Sequence, residues 1–508
     1  MTQDLVIGID SSTSATKAIA WTRTGEAVAE GRQSIALHNP KPGWFEQDPG
    51  DWWGSAKTAL TQLTSKIDAT RIAAVAISNQ RETFGLFTEN GDALRAGTTW
   101  LDERARPQVR RFAETFGAER VHDISGKPSD VLPCLYRMLW FAENEPETFK
   151  RTARMAEVHG YLVHQLTGSW ATSTASADPM GVLDMRAQCW SREILDAAGI
   201  DVARLPKLFR PGEVLGTVSS GAAALTGLKA GTPVVAGGGD GQCAGTGAQI
   251  TAPGRAYINM GTAVVSGSYG TGYAYDRAFR TETAVGDGGY IYEVCVRTGT
   301  FLVDWMAREM FNIDPAKQAG VFKTLESEAR ESPIGAGGVV LLPYWLGCMN
   351  PYWDSYARGV IAGISGSTKR GDIYRALLEG IALDAAEATN KVAATTGIPI
   401  ESLTAIGGGS DSDLWLQIVA DATARPVQRS VTREASSLGA AMAAAKGAGW
   451  FASIKDASAA MAAAPVHTFE PDARRAARYA ELRAIHADLW PILSSWNGRL
   501  AAFAEGEA

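Results

Sequence analysis

Short continuous apolar runs alternate along this chain with stretches whose apolar positions recur every three to four residues. The runs read as buried strands and the periodic stretches as amphipathic helices. Residues 5–10 and 17–21 flank the hydroxyl-rich turn Ser11-Ser12-Thr13-Ser14 as a hairpin, and residues 26–37 add a strand after Arg23-Thr24-Gly25. Asp48-Pro49 opens a helix through Trp52, Trp53, Ala56 and Leu60, the acid as N-cap and the proline in the first turn. Residues 72–77 form a buried strand that delivers Ser78-Asn79-Gln80-Arg81-Glu82-Thr83. Helical patterns follow at 103–116 and 135–143, the latter stopping before Pro146.

The second half restarts the plan. Residues 256–260, the turn Gly261-Thr262 and residues 263–267 form a looser echo of the first hairpin. A helix at 374–395, a strand at 403–406 running into Gly407-Gly408-Gly409-Ser410, and a helix at 412–422 come next. An alanine-rich helix near 437–446 and an arginine-rich one near 472–489, ending before Pro491, complete the pattern. Strands alternating with helices predict an α/β protein. At 508 residues the chain exceeds one core, and the turn Pro253-Gly254 puts the division into residues 1–248 and 249–508.

Composition narrows the function classes. A net charge of −7 without long runs of one sign gives no footprint for nucleic acid. Five cysteines stand far apart with no CxxC pair, which points to reduced thiols in a cytoplasm and away from a disulfide framework or zinc site. No basic segment followed by an apolar run marks a leader, and no apolar stretch is long enough to span a bilayer.

The candidate chemistry sits where strands end. Val234-Val235-Ala236 runs into Gly237-Gly238-Gly239-Asp240, a carboxylate among glycines that leave room for a ligand, which suits a general base acting on a hydroxyl. The same acid also suits a helix cap. Asp10 with Ser12, Thr13, Ser14 and Lys17 offers a carboxylate, hydroxyls and a cation, as a Mg²⁺–triphosphate needs; the alternative is a plain polar turn. Gly261-Thr262 could clamp the same phosphates from the second half. Arg81 and Glu82 could donate to and accept from sugar hydroxyls, with Trp100 an apolar wall and Asp102 a polar anchor. For these four the bland readings are a solvated loop pair and a buried Trp beside a helix cap. Histidines at 159 and 164 do not share a helix face and read as structural.

Taken in order, these residues resemble the FGGY carbohydrate kinases, members of the actin-like, ribonuclease-H-like ATPase superfamily. The likeness runs through Gly8-Ile9-Asp10-Ser11-Ser12-Thr13, Gly43-Trp44-Phe45-Glu46-Gln47-Asp48-Pro49, Asn79-Gln80-Arg81-Glu82-Thr83, Gly237 to Asp240 and Asn259-Met260-Gly261-Thr262. It continues in Pro351-Tyr352-Trp353-Asp354 and from Gly407 to Trp415. The resemblance implies two ribonuclease-H-like domains flanking a catalytic cleft, with ATP and Mg²⁺ and a sugar or polyol acceptor. It implies Asp240 as base, Asp10 as metal-associated acid, and Ser12, Thr13, Ser14, Lys17, Gly261 and Thr262 around the phosphates. Gly408, Gly409 and Asp413 would hold the adenosine, and Arg81, Glu82, Trp100 and Asp102 the acceptor. A homo-oligomer, specifically a dimer, is expected.

Acceptor signals conflict. The Arg81-Glu82 motif is similar to glycerol kinases, whereas xylulokinases usually place Met-His there. Leu132 falls about where glycerol kinases carry a substrate-contacting Tyr, and Gly241 replaces a residue that often helps to bind substrate. Cys134 and Arg137 depart from the first family signature, and Cys348-Met349-Asn350 from the usual Glu-Arg-Thr. The reading is a kinase of a pentulose or related polyol, xylulokinase-like, with a glycerol or tetritol kinase as alternative. An actin- or Hsp70-like ATPase and a non-catalytic sugar-binding regulator are the readings from other classes.

Overall fold

The computed structural model describes residues 3–505. Its frame is two mixed sheets with one strand order. In the first, β1 (Leu5–Ser11), β2 (Ala15–Trp21) and β3 (Ala27–Ser34) form an antiparallel meander. On the other side of β1, β4 (Ile72–Asn79) and then β5 (Pro233–Gly239) add in parallel. The second sheet repeats this with β6 (Arg255–Met260), β7 (Val264–Gly270) and β8 (Tyr290–Val296) antiparallel. There β9 (Ser402–Ile406) and β10 (Val427–Arg429) add in parallel beside β6. The meander turns are legible because their polar residues interrupt otherwise continuous apolar runs.

Helices cover both faces. Helix α1 (Pro49–Thr64) starts as its sequence predicts: Gly50 N–H donates to the Asp48 carboxylate at 2.8 Å, and Trp52, Ala56, Ala59, Leu60 and Leu63 bury one stripe against the first sheet. The other face of that sheet is covered by a later part of the chain. Helix α2 (Asp240–Gly247) and the alanine-rich α3 (Ala435–Gly447) lie there together. Their approach is close enough that a Cβ on Gly439 would meet the Cys243 carbonyl oxygen at 1.9 Å, and one on Gly8 the Ser437 carbonyl oxygen at 1.9 Å. Small residues are what that packing demands. Residues 435–447 thus complete the core of the N-terminal sheet, which a single cut between residues 248 and 249 does not convey.

Two helix expectations need correction. The pattern at 103–116 is an α-helix only over Arg106–Phe112, followed by a wider turn at Ala113–Gly117 and a new helix at Ala118–Ser125. Gly117 sits at φ 101°, outside the helical region, which explains the break. The terminal helix does not stop before Pro491 but runs over Ala473–Glu505. Buried Trp490 packs edge-on against Tyr344, and Asn497 donates to the Arg358 carbonyl, so contacts on both sides of the proline hold the helix across it. The third strand is also shorter than residues 26–37, ending at Ser34.

Candidate active site

Strand register decides which side chains meet. Ser11 pairs with Asn79, and Asn79 with Gly239, so Asp10, Arg81 and Asp240 leave the same sheet edge from three adjacent parallel strands. At about 4.8 Å per strand, the outer two are about 10 Å apart. The C-terminal ends of parallel strands are where α/β sheets bind ligands. Across the cleft, Asn259 pairs with Ile406, which brings Gly261-Thr262 beside the Gly407–Gly409 turn. A cavity of about 200 Å³ joins the two edges. It is lined by Thr13, Arg81, Glu82, Trp100, Leu132 and Asp240 from one half, and by Gly261, Thr262, Arg280, Arg297 and Met349 from the other.

Asp240 is the first residue of α2, its side chain 40 % exposed to the cleft. Arg81 Nε donates to its Oδ1 at 3.0 Å. The glycines around Asp240 make room for that arginine: a Cβ on Gly239 would lie 2.5 Å from Arg81 Cδ. A Cβ on Gly241 would lie 2.8 Å from Glu293 Oε2 and 3.0 Å from Arg81 Nη2. The volume a side chain at 241 would use is therefore filled by the Arg81–Glu293 pair.

Beneath the cavity lies a buried charge network. Arg81 Nη1 donates to both Glu293 oxygens at 3.0 and 2.9 Å, and Arg280 donates to Glu293 at 2.8 Å and to Glu82 at 2.6 Å. Burial alone would raise the Glu293 carboxyl, but the charges of Arg81 and Arg280 reverse this and leave it at about 2. Glu82 is pushed up by burial, opposed by Arg280 and Arg81. Its backbone sits at φ 48°, a left-handed conformation costly for a non-glycine residue. Fully buried Arg137 holds it there, donating to the Glu82 carbonyl at 2.5 Å and to the Leu132 carbonyl at 2.8 Å. This accounts for Arg137 at its departing position.

Asp10 is half-buried, and desolvation first and the nearby negative charge of Asp240 second raise it to about 7. Ser78 donates to it at 2.9 Å. Lys17 stands opposite on β2 and is ion-paired at 2.6 Å with Glu434, just before α3. Ser436 donates to the Asp240 carbonyl at 3.2 Å and Ser437 to the Gly8 carbonyl at 2.9 Å, so residues 434–437 bind the β1–β2 hairpin to the Asp240 strand end. Gln47 does similar work: its amide donates to the Thr13 carbonyl at 2.7 Å, and its oxygen accepts from Gln80 at 2.8 Å and Trp52 at 2.9 Å.

The residues named from sequence divide accordingly. Thr13, Arg81, Glu82, Trp100, Asp240, Gly261 and Thr262 share the cavity, and Trp100 Nε1 donates to Thr13 Oγ1 at 2.9 Å. Ser12 closes its own turn, donating to the Ala15 carbonyl at 2.8 Å, and Ser14 is exposed beside it. Asp102 does not reach the cavity. It is fully buried, with Oδ1 accepting from Arg104 and Oδ2 from Arg104 and the Phe45 N–H, so its oxygens hold loops together. Gly408 and Gly409 lie in the turn after β9, and Asp413 is exposed and paired with Arg429 at 2.6 Å. None of these three lines the cavity; the turn reaches it through Gly407 and Gly409, where a Cβ on Gly407 would meet Asn259 Oδ1 at 2.5 Å and one on Gly409 the Met260 carbonyl at 2.9 Å.

Residues 5–247 match the FGGY family of carbohydrate kinases, N-terminal domain, and residues 256–448 match its C-terminal domain. The chain belongs to the FGGY family of carbohydrate kinases. This FGGY kinase is 31% identical to a protein named xylulose kinase from Bacillus subtilis, over 98% of this chain and 99% of the relative. It is 29% identical to a glycerol kinase of Leifsonia xyli, over 89% and 91% of the two chains. The structure of xylulose kinase from Rhodospirillum rubrum superposes with a TM-score of 0.89 at 27% identity, covering 97% of this chain and 100% of that one. A xylulose kinase from Lactobacillus acidophilus has a TM-score of 0.91 at 23% identity and shares the fold. The kinase is accordingly an ATP-dependent phosphotransferase of the two-domain, actin-like architecture, acting on a sugar-type hydroxyl. No helix among the described residues is long and apolar enough to cross a membrane.

Sequence reasoning missed Arg280, Glu293, Arg297 and Glu434. Glu293 and Arg297 had a signal: charged residues four apart at alternate positions of the otherwise apolar run 290–296 and its end, which a half-buried strand reserves for one face; Arg280, in the polar strand Arg280–Thr283, had none.

Proposed function

We propose that this kinase transfers the γ-phosphoryl group of ATP to a hydroxyl of a pentulose or related polyol, in the manner of a xylulokinase. The observation that carries the reading is one small cavity shared by the cleft-exposed Asp240 carboxylate, the Arg81–Glu82 pair and the Gly261-Thr262 turn. A cavity of about 200 Å³ suits a small polyol, well below the volume of drug-sized ligand sites. Trp100, Leu132 and Met349 give it apolar walls for carbon–hydrogen faces, while Arg81 and Glu82 supply hydroxyl recognition. The relatives named xylulose kinase support a pentulose. The alternative acceptor, glycerol or a tetritol, is favoured by the Arg81-Glu82 pair and by relatives named glycerol kinase.

In the reaction, Asp240 accepts the proton of the attacking hydroxyl, whose oxygen bonds to the γ-phosphorus as the bond to the β–γ bridging oxygen breaks and ADP leaves. Arg81 holds the Asp240 carboxylate in place. The Thr13 and Gly261-Thr262 turns bracket the phosphates, with the Gly408-Gly409 turn and Asp413 toward the adenosine. Asp102 positions the loops beside Trp100 rather than touching the acceptor. Asp10 fits a role beside Mg²⁺: an acid that burial and the charge of Asp240 push toward its protonated form calls for a cation, and Mg²⁺ is commonly held by one or two carboxylates plus nucleotide phosphates. When bound, Mg²⁺ would supply charge neutralisation on the phosphates. Closure of the two sheets on one another, with residues 435–447 moving with the first, would exclude water.

We place the enzyme in the cytoplasm and read it as a homodimer. Ile485, Ile492, Trp496, Leu500 and Phe503 form an exposed apolar stripe on the terminal helix, a surface that a second copy would cover. A coupled ADP-release screen over xylulose, ribulose, ribitol, xylitol, erythritol and glycerol tests the acceptor class. A pentulose or pentitol should give the highest kcat/KM; glycerol at the top would overturn the reading in favour of the alternative.

A further inference from the structure

We propose that Arg297 is a catalytic residue whose guanidinium binds the oxygens of the phosphoryl group in flight between nucleotide and acceptor. The inference rests on the reading of Asp240 and the Gly261-Thr262 turn given above.

Strand β8 alternates cleanly. Tyr292, Val294 and Val296 face the core of the second half. Glu293 faces the cleft side, where it binds Arg81 and Arg280, and Cys295 and Arg297 line the cavity. Four residues of strand separate Glu293 from Arg297, about 13 Å, so this stripe runs from beneath the acceptor site toward the phosphate turn. The register fixes where it arrives. Val296 pairs with Val264, which sets Arg297 beside Ala263 at the close of the Gly261-Thr262 turn.

The backbone just after Arg297 is clamped onto that turn. Gly299 N–H donates to the Thr262 carbonyl at 2.7 Å, and Thr300 donates to the Gly261 carbonyl through its N–H at 2.8 Å and its hydroxyl at 3.0 Å. A Cβ on Gly299 would lie 2.5 Å from the Gly261 oxygen. Whatever orders the phosphate turn therefore orders Arg297 as well.

Charge pairing separates Arg297 from its neighbours. The other two cavity arginines are committed: Arg81 to Asp240 and Glu293, Arg280 to Glu82 and Glu293. Arg297 is half-buried and makes no hydrogen bond or ion pair with any side chain or carbonyl among the described residues. An arginine held rigidly at a phosphate turn with no protein anion is arranged for an oxyanion ligand. In the transfer, the β–γ bridging oxygen keeps the electron pair of the breaking bond, the acceptor oxygen forms the new bond, and its proton goes to Asp240. Arg297 donates N–H groups to the equatorial oxygens, where charge is spread in the transition state.

The test compares wild type with Arg297→Ala and Arg297→Lys by calorimetry, using ADP with Mg²⁺ in the presence and absence of aluminium fluoride. The expected result is a fluoride-dependent gain in affinity in wild type that falls at least about tenfold in Arg297→Ala, with ADP alone bound within about threefold. Added guanidinium ion should restore part of the gain. In turnover, kcat should drop about 10²–10³-fold with the acceptor KM within about threefold. An equal fluoride-dependent gain in both proteins, or none in wild type, overturns the proposal. So does a raised acceptor KM at unchanged kcat, which would mean that the arginine reads an anionic group on the acceptor. If Arg297→Ala does not fold, Arg297→Lys with a wild-type unfolding midpoint carries the same comparison. The calorimetric arm uses no acceptor, so an incorrect acceptor class leaves it readable.

Discussion

The two sheets share a strand order but divide the chemistry unequally. At matching points of the two hairpins, one residue before the last of the first strand, the N-terminal sheet carries Asp10 facing Lys17, while the C-terminal sheet carries Asn259 facing Val265. The first hairpin is charged and tied to Glu434; the second presents a Gly261-Thr262 turn held by the backbone of Gly299 and Thr300. Repeating the scaffold thus did not repeat the site. One half carries the acids Asp10 and Asp240 at its strand ends, and the other a nearly neutral turn, with its charges moved one strand along to Glu293 and Arg297.

The largest way to break that contrast is to remove the charge that crosses between the halves. Glu293→Gln leaves Arg81 and Arg280 short of their shared carboxylate in a buried site. We expect a loss of about 3–5 kcal/mol in denaturant unfolding, as for other broken buried pairs, and a higher acceptor KM because Arg81 no longer holds Asp240. Unfolding unchanged within 1 kcal/mol would mean that the network does not bind the halves together.

A smaller effect concerns the acid that only the first hairpin has. Asp10 stands at about 7 in the folded protein against an ordinary 3.8. The folded state therefore holds a proton that the unfolded chain gives up, and the stability of the unliganded protein falls as pH rises from about 4 to about 7, flattening above. Asp10→Asn should stabilise the unliganded protein at pH 8 by on the order of 1 kcal/mol, with a smaller gain at pH 5. Affinity for the Mg²⁺–nucleotide should rise about tenfold from pH 6 to pH 8 in wild type and lose that slope in the variant. A slope retained in Asp10→Asn would detach the acid from the metal. The least effect is expected at the hairpin clamp: Lys17 and Glu434 are partly exposed, so Glu434→Gln should cost no more than about 1 kcal/mol. Its sharper readout is the nucleotide KM, since the freed Lys17 can turn to phosphate.

How much of this was legible beforehand follows the same division. Strand-end motifs such as Gly237 to Asp240 and Gly261-Thr262 could be read because a polar cluster after an apolar run marks where backbone reaches a ligand. The α/β class, the repeated hairpins and the family resemblance were readable for the same reason. Register was not, so the meeting of Arg81 with Glu293, 212 residues later, had no local signal. Asp102 looked like an acceptor contact because a Trp and an acid at a strand end suggest a sugar site. Its actual partner, Arg104, lies two residues on, its guanidinium 3.8 Å from the centre of the Trp44 ring. Gly241 read as a missing helper, whereas the space is taken by the Arg81–Glu293 pair. The helix across Pro491 escaped because tertiary contacts of Trp490 and Asn497 outweigh a local breaker.

In the proposed reaction Asp240 is the base that the N-terminal half presents to an acceptor whose phosphoryl donor is held by the other half. The most direct measurement is kcat of Asp240→Asn with the best acceptor, alongside calorimetric binding of ADP. If Asp240 is the base, kcat falls about 10²–10⁴-fold with ADP affinity within about threefold of wild type. A kcat within a few-fold of wild type, in a protein that still binds ADP, would contradict it.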